Sequence, residues 1–318
     1  MNYIVLDLEW NQSLTGKEKE HKMLPFEIIE IGAIKCNEKM EKTDFFSQLI
    51  RPNIYKVLHY KSKEVTSITN KELNKGRKFQ EVFQEFIKWC GEDYIFCSWG
   101  NMDLVELQRN AAYYNLHNVF PKPLFYYDIQ KIFGLEYTEN QSRKSLEFAV
   151  DFLKIPTSKN FHRAVNDAMY TMEIMRKIPW ERYENEKSID YYQVPKNKKE
   201  EIYFSNDRYD KFISREFESK EAAMMHRDVT VTKCRECSRN MRKKIRWFSG
   251  NSKQYYCLAY CPEHGMHIGK IRMKKTVDDR VFVIRLIKKT DEKGYEKIVE
   301  KKREISRKRR LKRTKKNE

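Results

Sequence analysis

The sequence predicts an α/β domain, a mixed sheet with helices on both faces, followed by a small β-rich unit built around cysteines. Three observations lead there. Apolar strands come first and strands then alternate with helices, the pattern of a mixed sheet rather than a bundle or a sandwich. Pro179 closes that block, and beyond it the composition turns charged and tyrosine-rich. Four of the seven cysteines crowd between residues 234 and 261.

The elements follow in order. Residues 2–9 alternate toward a strand that ends in Asp7 and Glu9. Residues 26–36 are rich in β-branched side chains and make a second strand, and 43–50 make a third, closed by Arg51-Pro52. Phe79, Val82, Phe83, Phe86 and Ile87 recur at helical spacing, so 79–90 is an amphipathic helix. Residues 94–99 read as a short buried strand. Gly100-Asn101 breaks it, and a helix runs from Met102 to Tyr114. A strand near 124–129 and helices at 145–153 and 163–178 complete a five-stranded sheet. This gives a domain over 1–182, a charged linker over 183–227, a basic zinc-ribbon-like domain over 228–290 with a late strand at Val281–Ile287, and a basic tail over 291–318. The tail is expected to be disordered alone, or helical against a partner.

Of the 318 residues, 40% are hydrophobic and 13% aromatic, enough to exclude a wholly disordered chain. No stretch of about 18 uncharged apolar residues occurs, so no membrane span or membrane partner is expected. The N-terminus lacks the basic-then-apolar layout of a signal peptide, and a cytoplasmic location is expected. Lys and Arg number 64 against 46 Asp and Glu, a formal charge of +18. Residues 1–182 hold 26 basic and 25 acidic side chains, whereas 183–318 hold 38 and 21. A segment that basic, with aromatics interleaved, points to a polyanion, nucleic acid first.

Asp7 and Glu9 lie two apart on one strand and therefore share a face, while Leu6 and Leu8 point to the other. Paired carboxylates repel each other unless a divalent cation lies between them, and hard oxygen ligands suit Mg²⁺ or Mn²⁺. Asp103 follows a buried strand at the start of a helix, in Trp-Gly-Asn-Met-Asp-Leu. His162 and Asp167 flank a helix start in Phe-His-Arg-Ala-Val-Asn-Asp-Ala. Taken singly, each matches a solvated strand edge or a helix-end acid as well as a ligand.

In this order and placement, Asp7-Leu8-Glu9, Asp103 and His162-x4-Asp167 resemble the DEDDh branch of the DnaQ-like 3′–5′ exonucleases, on the ribonuclease-H-like fold. Within that branch the runs around Asp103 and His162 are similar to the enhanced-RNAi-type and KapD-like members. Glu9 is followed by Trp-Asn-Gln, a departure from the Thr-rich continuation of many members. The resemblance covers roughly residues 1–180. It implies hydrolysis of single-stranded nucleic acid by two Mg²⁺ or Mn²⁺ ions. Asp7 would bridge both, Glu9 and Asp167 would complete the water-binding site, and Asp103 would hold the second ion. His162 would be the general base. RNA is expected ahead of DNA. The alternatives are a DNA-trimming repair exonuclease and a catalytically silent nucleic-acid-binding protein.

In the second half, Cys234-x2-Cys237 and Cys261-x2-His264 offer one structural Zn²⁺ a matched ligand set, with Cys257 the alternative to His264. Cys36, Cys90 and Cys97 lie in apolar runs and read as core. The run Arg239–Phe248 carries basic and aromatic side chains suited to tracking phosphates, in a single strand or a structured RNA.

Overall fold

The computed structural model describes residues 1–138, 142–157, 160–276 and 278–317. The chain divides into two compact units, Met1–Gln193 and the residues from Val194 on. Among the described residues no helix is long and apolar enough to cross a membrane.

The first unit is a six-stranded mixed sheet in the order β3-β2-β1-β4-β5-β6. Its strands are β1 (Asn2–Gln12), β2 (Phe26–Cys36), β3 (Lys42–Leu49), β4 (Tyr94–Ser98), β5 (Phe125–Asp128) and β6 (Ser188–Ile189). β1 pairs antiparallel with β2 and parallel with β4, so it is the strand where direction changes. Helices α1 (Tyr60–Thr66), α2 (Asn70–Lys75), α3 (Phe79–Cys90) and α4 (Met102–Tyr113) precede α5 (Ile129–Tyr137), α6 (Leu146–Phe152) and α7 (Ala164–Lys177). Strand alternation sorts the β1 side chains. Ile4, Leu6 and Leu8 pack among residues of α3 and α4, whereas Tyr3 and Val5 pack among residues of α5, α6 and α7. Cys36, Cys90 and Cys97 are core residues, as the apolar runs around them imply.

The strand count exceeds the expected five by β6, which pairs antiparallel with β5. The segment 183–227 is therefore no linker. Tyr183 and Ile189 are buried in the first unit, and its buried acids are engaged there, with Lys131 Nζ 3.0 Å from Glu186 and Asp190 accepting Gln108 Nε2 at 2.8 Å. The charged composition hid a folded segment because these acids have partners. The remainder of 183–227 belongs to the second unit.

That unit is a six-stranded, wholly antiparallel sheet in the order β7-β8-β12-β11-β10-β9. It consists of β7 (Ile202–Ser205), β8 (Asp210–Ile213), α8 (Lys220–Met225), α9 (Arg227–Thr230), β9 (Arg242–Asn251), β10 (Gln254–Cys261), β11 (Gly265–Lys275), β12 (Val281–Lys289) and α10 (Glu292–Asn317). One sheet face buries Phe212, Ile271, Met273 and Val283 with Ala223 and Val229 of α8 and α9. On the other, Ile298 of α10 packs with Tyr256 and Leu258. The tail is thus a helix whose first half is held by the sheet beneath it. Glu318, its last residue, lies outside the described residues.

The boundary sharpens the charge asymmetry. Met1–Gln193 holds 27 basic and 28 acidic side chains, net −1, and the rest holds 37 and 18, net +19.

Candidate active site and metal centre

Asp7 and Glu9 continue the Tyr3-Val5 row of β1, so both face the side of the sheet that α7 covers. Asp167 comes from the first turn of α7. Ligand oxygens of Asp7, Glu9 and Asp167 all lie within 4.8 Å of one another. Asp103 reaches the same region from the first turn of α4. Beyond Val5 the β1–β4 pairing ends, and Asp103 Oδ1 accepts the backbone N–H of Leu8 at 3.3 Å. The four carboxylates therefore gather at the carboxyl ends of parallel neighbours, the crevice where open α/β sheets bind ligands.

Two features of β2 place α7 close enough. A Cβ on Gly32, the register partner of Asp7, would overlap the backbone of Ala164 and Val165. Only glycine admits the helix start there. Glu30, buried and opposite Glu9, accepts Arg163 Nη2 at 2.9 Å and Nε at 3.2 Å, and the N–H of Ala164 at 3.2 Å. This forked pair replaces the missing side-chain cap of α7. Sequence reasoning passed over Glu30, Gly32 and Arg163 as site-builders. The signal was two acids, Glu27 and Glu30, inside the largely apolar run 26–34.

His162 stands just ahead of α7 at a φ of 64°, a left-handed conformation that is uncommon outside glycine. Its backbone N–H donates to Asp167 Oδ2 at 3.1 Å, and its ring Nε2 lies 3.5 Å from Glu147 of α6. The turn so formed fixes the position of His162 relative to Asp167. Tyr170 is core, buried beside Phe161 with ring centroids 4.6 Å apart.

The electrostatics explain what such a cluster requires. Burial, then the charges of Asp103, Asp167 and Glu9, push Asp7 well above the usual carboxylate range. Burial and the neighbouring acids push Glu9 up to about 8, and burial first of all pushes Asp103 and Asp167 up to about 7. Asp167 Oδ1 is buried with no hydrogen-bond partner. A buried carboxylate oxygen with nothing to accept, beside two further carboxylates, is a good fit for a divalent cation.

The match to a family model decides the identity: the RNase T exonuclease model covers residues 4–175. The chain belongs to this exonuclease family. A protein described as "Probable 3'-5' exonuclease KapD", from Bacillus subtilis (strain 168), is 24% identical over 188 residues, 58% of this chain and 87% of its own length. The DNA polymerase III subunit epsilon of Aquifex aeolicus (strain VF5) is 25% identical over 200 residues, 62% of this chain and 90% of its own. Among solved structures, the nuclease domain of 3'hExo, a DEDDh family member bound to rAMP, superposes with a TM-score of 0.50 at 21% identity. It covers 59% of this chain and 96% of that one. The fold is ribonuclease-H-like, and the chain is a 3′–5′ exonuclease.

The family model ends short of the second unit, whose thiolates form a separate cluster. Ligand atoms of Cys234, Cys237, Cys261 and His264 lie within 4.8 Å of one another. Cys237 Sγ is 3.7 Å from Cys261 Sγ, and His264 Nδ1 is 3.5 Å from Cys234 Sγ and 3.6 Å from Cys261 Sγ. For Zn–S of about 2.3 Å and Zn–N of about 2.0–2.1 Å, tetrahedral edges are about 3.8 Å between sulfurs and about 3.6 Å from sulfur to nitrogen. The side chains are already spaced for the ion. Burial opposes ionisation of Cys261, but hydrogen bonds from the His264 and Glu263 N–H groups and the His264 ring bring its thiol down to about 6.

Cys257 lies outside this cluster. It faces Gly269 and Trp247 in the sheet core, and burial pushes its thiol up to about 12. His267 was overlooked in the sequence because it lies beyond the paired spacing. It is buried, with Nε2 4.0 Å from Cys234 Sγ and Nδ1 3.1 Å from the Gly265 carbonyl.

Proposed function

We propose that this exonuclease shortens single strands, RNA ahead of DNA, from the 3′ end by a two-metal mechanism. Asp7, Glu9 and Asp167 hold the ions, with Asp103 completing the second position. Two divalent cations bound there lower the pKa of the attacking water and stabilise charge on the attacking and leaving oxygens. The observation that carries this reading is the unpartnered, buried Asp167 oxygen beside Asp7 and Glu9. His162 takes the water's proton on a ring nitrogen, and the turn closed through Asp167 keeps it beside the ligands. Glu147 steers the imidazole from α6. Arg163 and Glu30 act by positioning, since they hold the start of the helix that carries Asp167.

The second unit carries one structural Zn²⁺ on Cys234, Cys237, Cys261 and His264. Soft thiolates retain it, while the carboxylate site exchanges Mg²⁺ or Mn²⁺ freely.

The preference for RNA is supported by the rAMP-bound 3'hExo nuclease domain. The similarity to DNA polymerase III subunits favours a second reading, trimming of DNA. Incubation with Mn²⁺ and 5′-labelled single-stranded RNA or DNA separates them. A ladder on RNA is the expected result, and a ladder on DNA alone selects the second reading. No ladder on either strand means that this chain binds without turning over.

A further inference from the structure

The second unit contains a cleft of about 770 Å³ beside the thiolate cluster, between β7 and the segment that carries Cys234. Tyr203 stands at its edge on the outermost strand, and 64% of it is exposed. Its ring lies on buried Phe212, with centroids 4.7 Å apart and planes tilted by 34°. The Arg285 guanidinium is in turn 4.8 Å from the Phe212 ring. An exposed tyrosine backed this way is a platform fixed before anything binds.

The cleft is also cationic. Arg285 is only 9% exposed, and Nη1 donates to the carbonyls of Asp228, Val229 and Val231. Those acceptors are neutral, and no carboxylate forms an ion pair with Arg285 among the described residues. Arg227 and Lys233 line the same cleft, exposed and without ion pairs among the described residues. Its two acids are already engaged. Asp210 lies 3.9 Å from Arg235 Nε, and Asp228 lies 3.5 Å from Lys198 Nζ. The surplus positive charge is left facing the cleft.

We propose that this cleft binds one or more nucleotides of a single strand, with a base stacked on Tyr203 and the flanking phosphates on Arg227 and Lys233. The inference rests on the reading that the chain acts on nucleic acid. It assigns the second unit a recognition site of its own. An aromatic face with cations on its rim accepts any base, because every base has a π-face, and the phosphates supply the charge complement. A duplex keeps its base faces stacked inside, so the platform selects single strands. Lys233 immediately precedes Cys234 and bridges to Asn240 across the thiolate loop, which makes the rim depend on that loop.

The test is equilibrium binding of short labelled single-stranded RNA and DNA to the full chain, read by fluorescence anisotropy without added Mg²⁺ or Mn²⁺. Tyr203→Ala should weaken binding by roughly five- to a hundredfold, the usual worth of one stacked base, with an unchanged salt slope. Tyr203→Phe keeps the ring and should bind like the wild type. Arg227→Gln and Lys233→Gln should each lower the salt slope by about 0.7. Tyr203 is exposed, so the fold should survive; unchanged melting and zinc content verify this. A loss confined to RNA or to DNA names the sugar the cleft prefers. Wild-type affinity of Tyr203→Ala for both strands would overturn the proposal. So would an acidic polyglutamate peptide that displaces the oligonucleotide and itself needs Tyr203. The readout needs no turnover: a chain that binds through Tyr203 but cleaves neither strand overturns the exonuclease reading alone.

Discussion

The carboxylate site of the first unit is gathered from elements far apart in sequence, whereas the thiolate site of the second is closed by two nearby turns. Asp103 meets Leu8 across 95 residues, and Arg163 meets Glu30 across 133. Cys237 meets Cys261 across 24. The first site lies in a unit of net charge −1 and the second in a unit of +19. Both clusters concentrate ligands that repel or lie unsatisfied without a cation. They differ in what the cation supports. A fold with extensive cores on both faces of its sheet positions the carboxylates, so ions bound there would serve chemistry. The thiolate loop has a small core of its own, five buried residues that include Cys234 and Cys261, so an ion bound there would serve structure.

The largest effect that tests this contrast is on the carboxylates. Asp7→Asn or Asp167→Asn should abolish cleavage at saturating Mn²⁺ while leaving the melting temperature of the metal-free chain unchanged or higher, because one repelling charge is gone. Residual activity above a small fraction of wild type would remove the residue from the metal site. The pH dependence has a defined sign. Glu9 is raised from about 4.5 to about 8, so the folded metal-free chain binds protons more tightly than the unfolded one. The carboxylate contribution to stability is therefore fully present at low pH and declines as pH rises through about 8. Mn²⁺ competes with those protons. The increase in melting temperature on adding Mn²⁺ should be larger at pH 8.5 than at pH 6, and an increase independent of pH would contradict the shared site.

Next in size is His162→Ala, expected to slow cleavage by roughly 10²- to 10⁴-fold, the usual worth of a general base. Higher pH should restore part of the rate, since hydroxide needs no assistance. Single-turnover rates across pH decide it, and a neutral-pH rate equal to wild type would make His162 a purely structural turn residue.

A third effect falls on the second unit alone. Freshly purified, reduced protein should hold one Zn²⁺ per chain by elemental analysis. Cys237→Ser or His264→Ala should lower that content and destabilise the second unit, while the cleavage of a short oligonucleotide stays near wild type. Cys257→Ser should keep its zinc, because that side chain belongs to the sheet core. Zinc lost from the Cys257 variant but kept in the His264 variant would reverse the ligand assignment.

The same difference in sequence separation governs how much could be read in advance. Cys234-x2-Cys237 and Cys261-x2-His264 are local spacings, so the cluster was visible without a fold, although the choice between His264 and Cys257 was not. Asp7, Glu9, Asp103, His162 and Asp167 carried weak signals one by one and gained force only as an ordered set. The β1 face assignment was readable because alternation is a local rule. Glu30 and Gly32 were harder, since their importance lies in the approach of α7, a contact that no spacing encodes. The segment 183–227 was misjudged for a related reason. Charge and tyrosine content suggest solvation, but Glu186 and Asp190 are buried and hydrogen-bonded or paired to residues of the first unit. Ile202–Ser205 alternates over only four residues and Asp210–Ile213 does not alternate at all, too little pattern to separate these strands from loop.

The smallest effect on turnover, and the most direct comparison of the two units, comes from cutting the chain after Gln193. Cutting at 182 would remove Tyr183 from the first core and β6 from its sheet, so the later boundary is required. The shortened chain keeps all five catalytic candidates and the core clusters on both faces of its sheet. It should cleave a short oligonucleotide at nearly the full-length rate, because the chemistry involves only the terminal nucleotides. Long strands should bind more weakly. Counterion release makes the logarithm of affinity fall with the logarithm of salt, by about 0.7 per phosphate contact on a single strand. Removing a unit of net charge +19 should flatten that slope by several such contacts. The loss should exceed the sum of the Arg227 and Lys233 substitutions, since β9 exposes Arg242, Lys244 and Arg246 at every second position along the sheet edge. Titration of a long labelled strand against both chains at several salt concentrations measures it. Equal slopes would mean that the basic unit serves stability or a protein partner, and an insoluble shortened chain would mean that the two units do not fold independently.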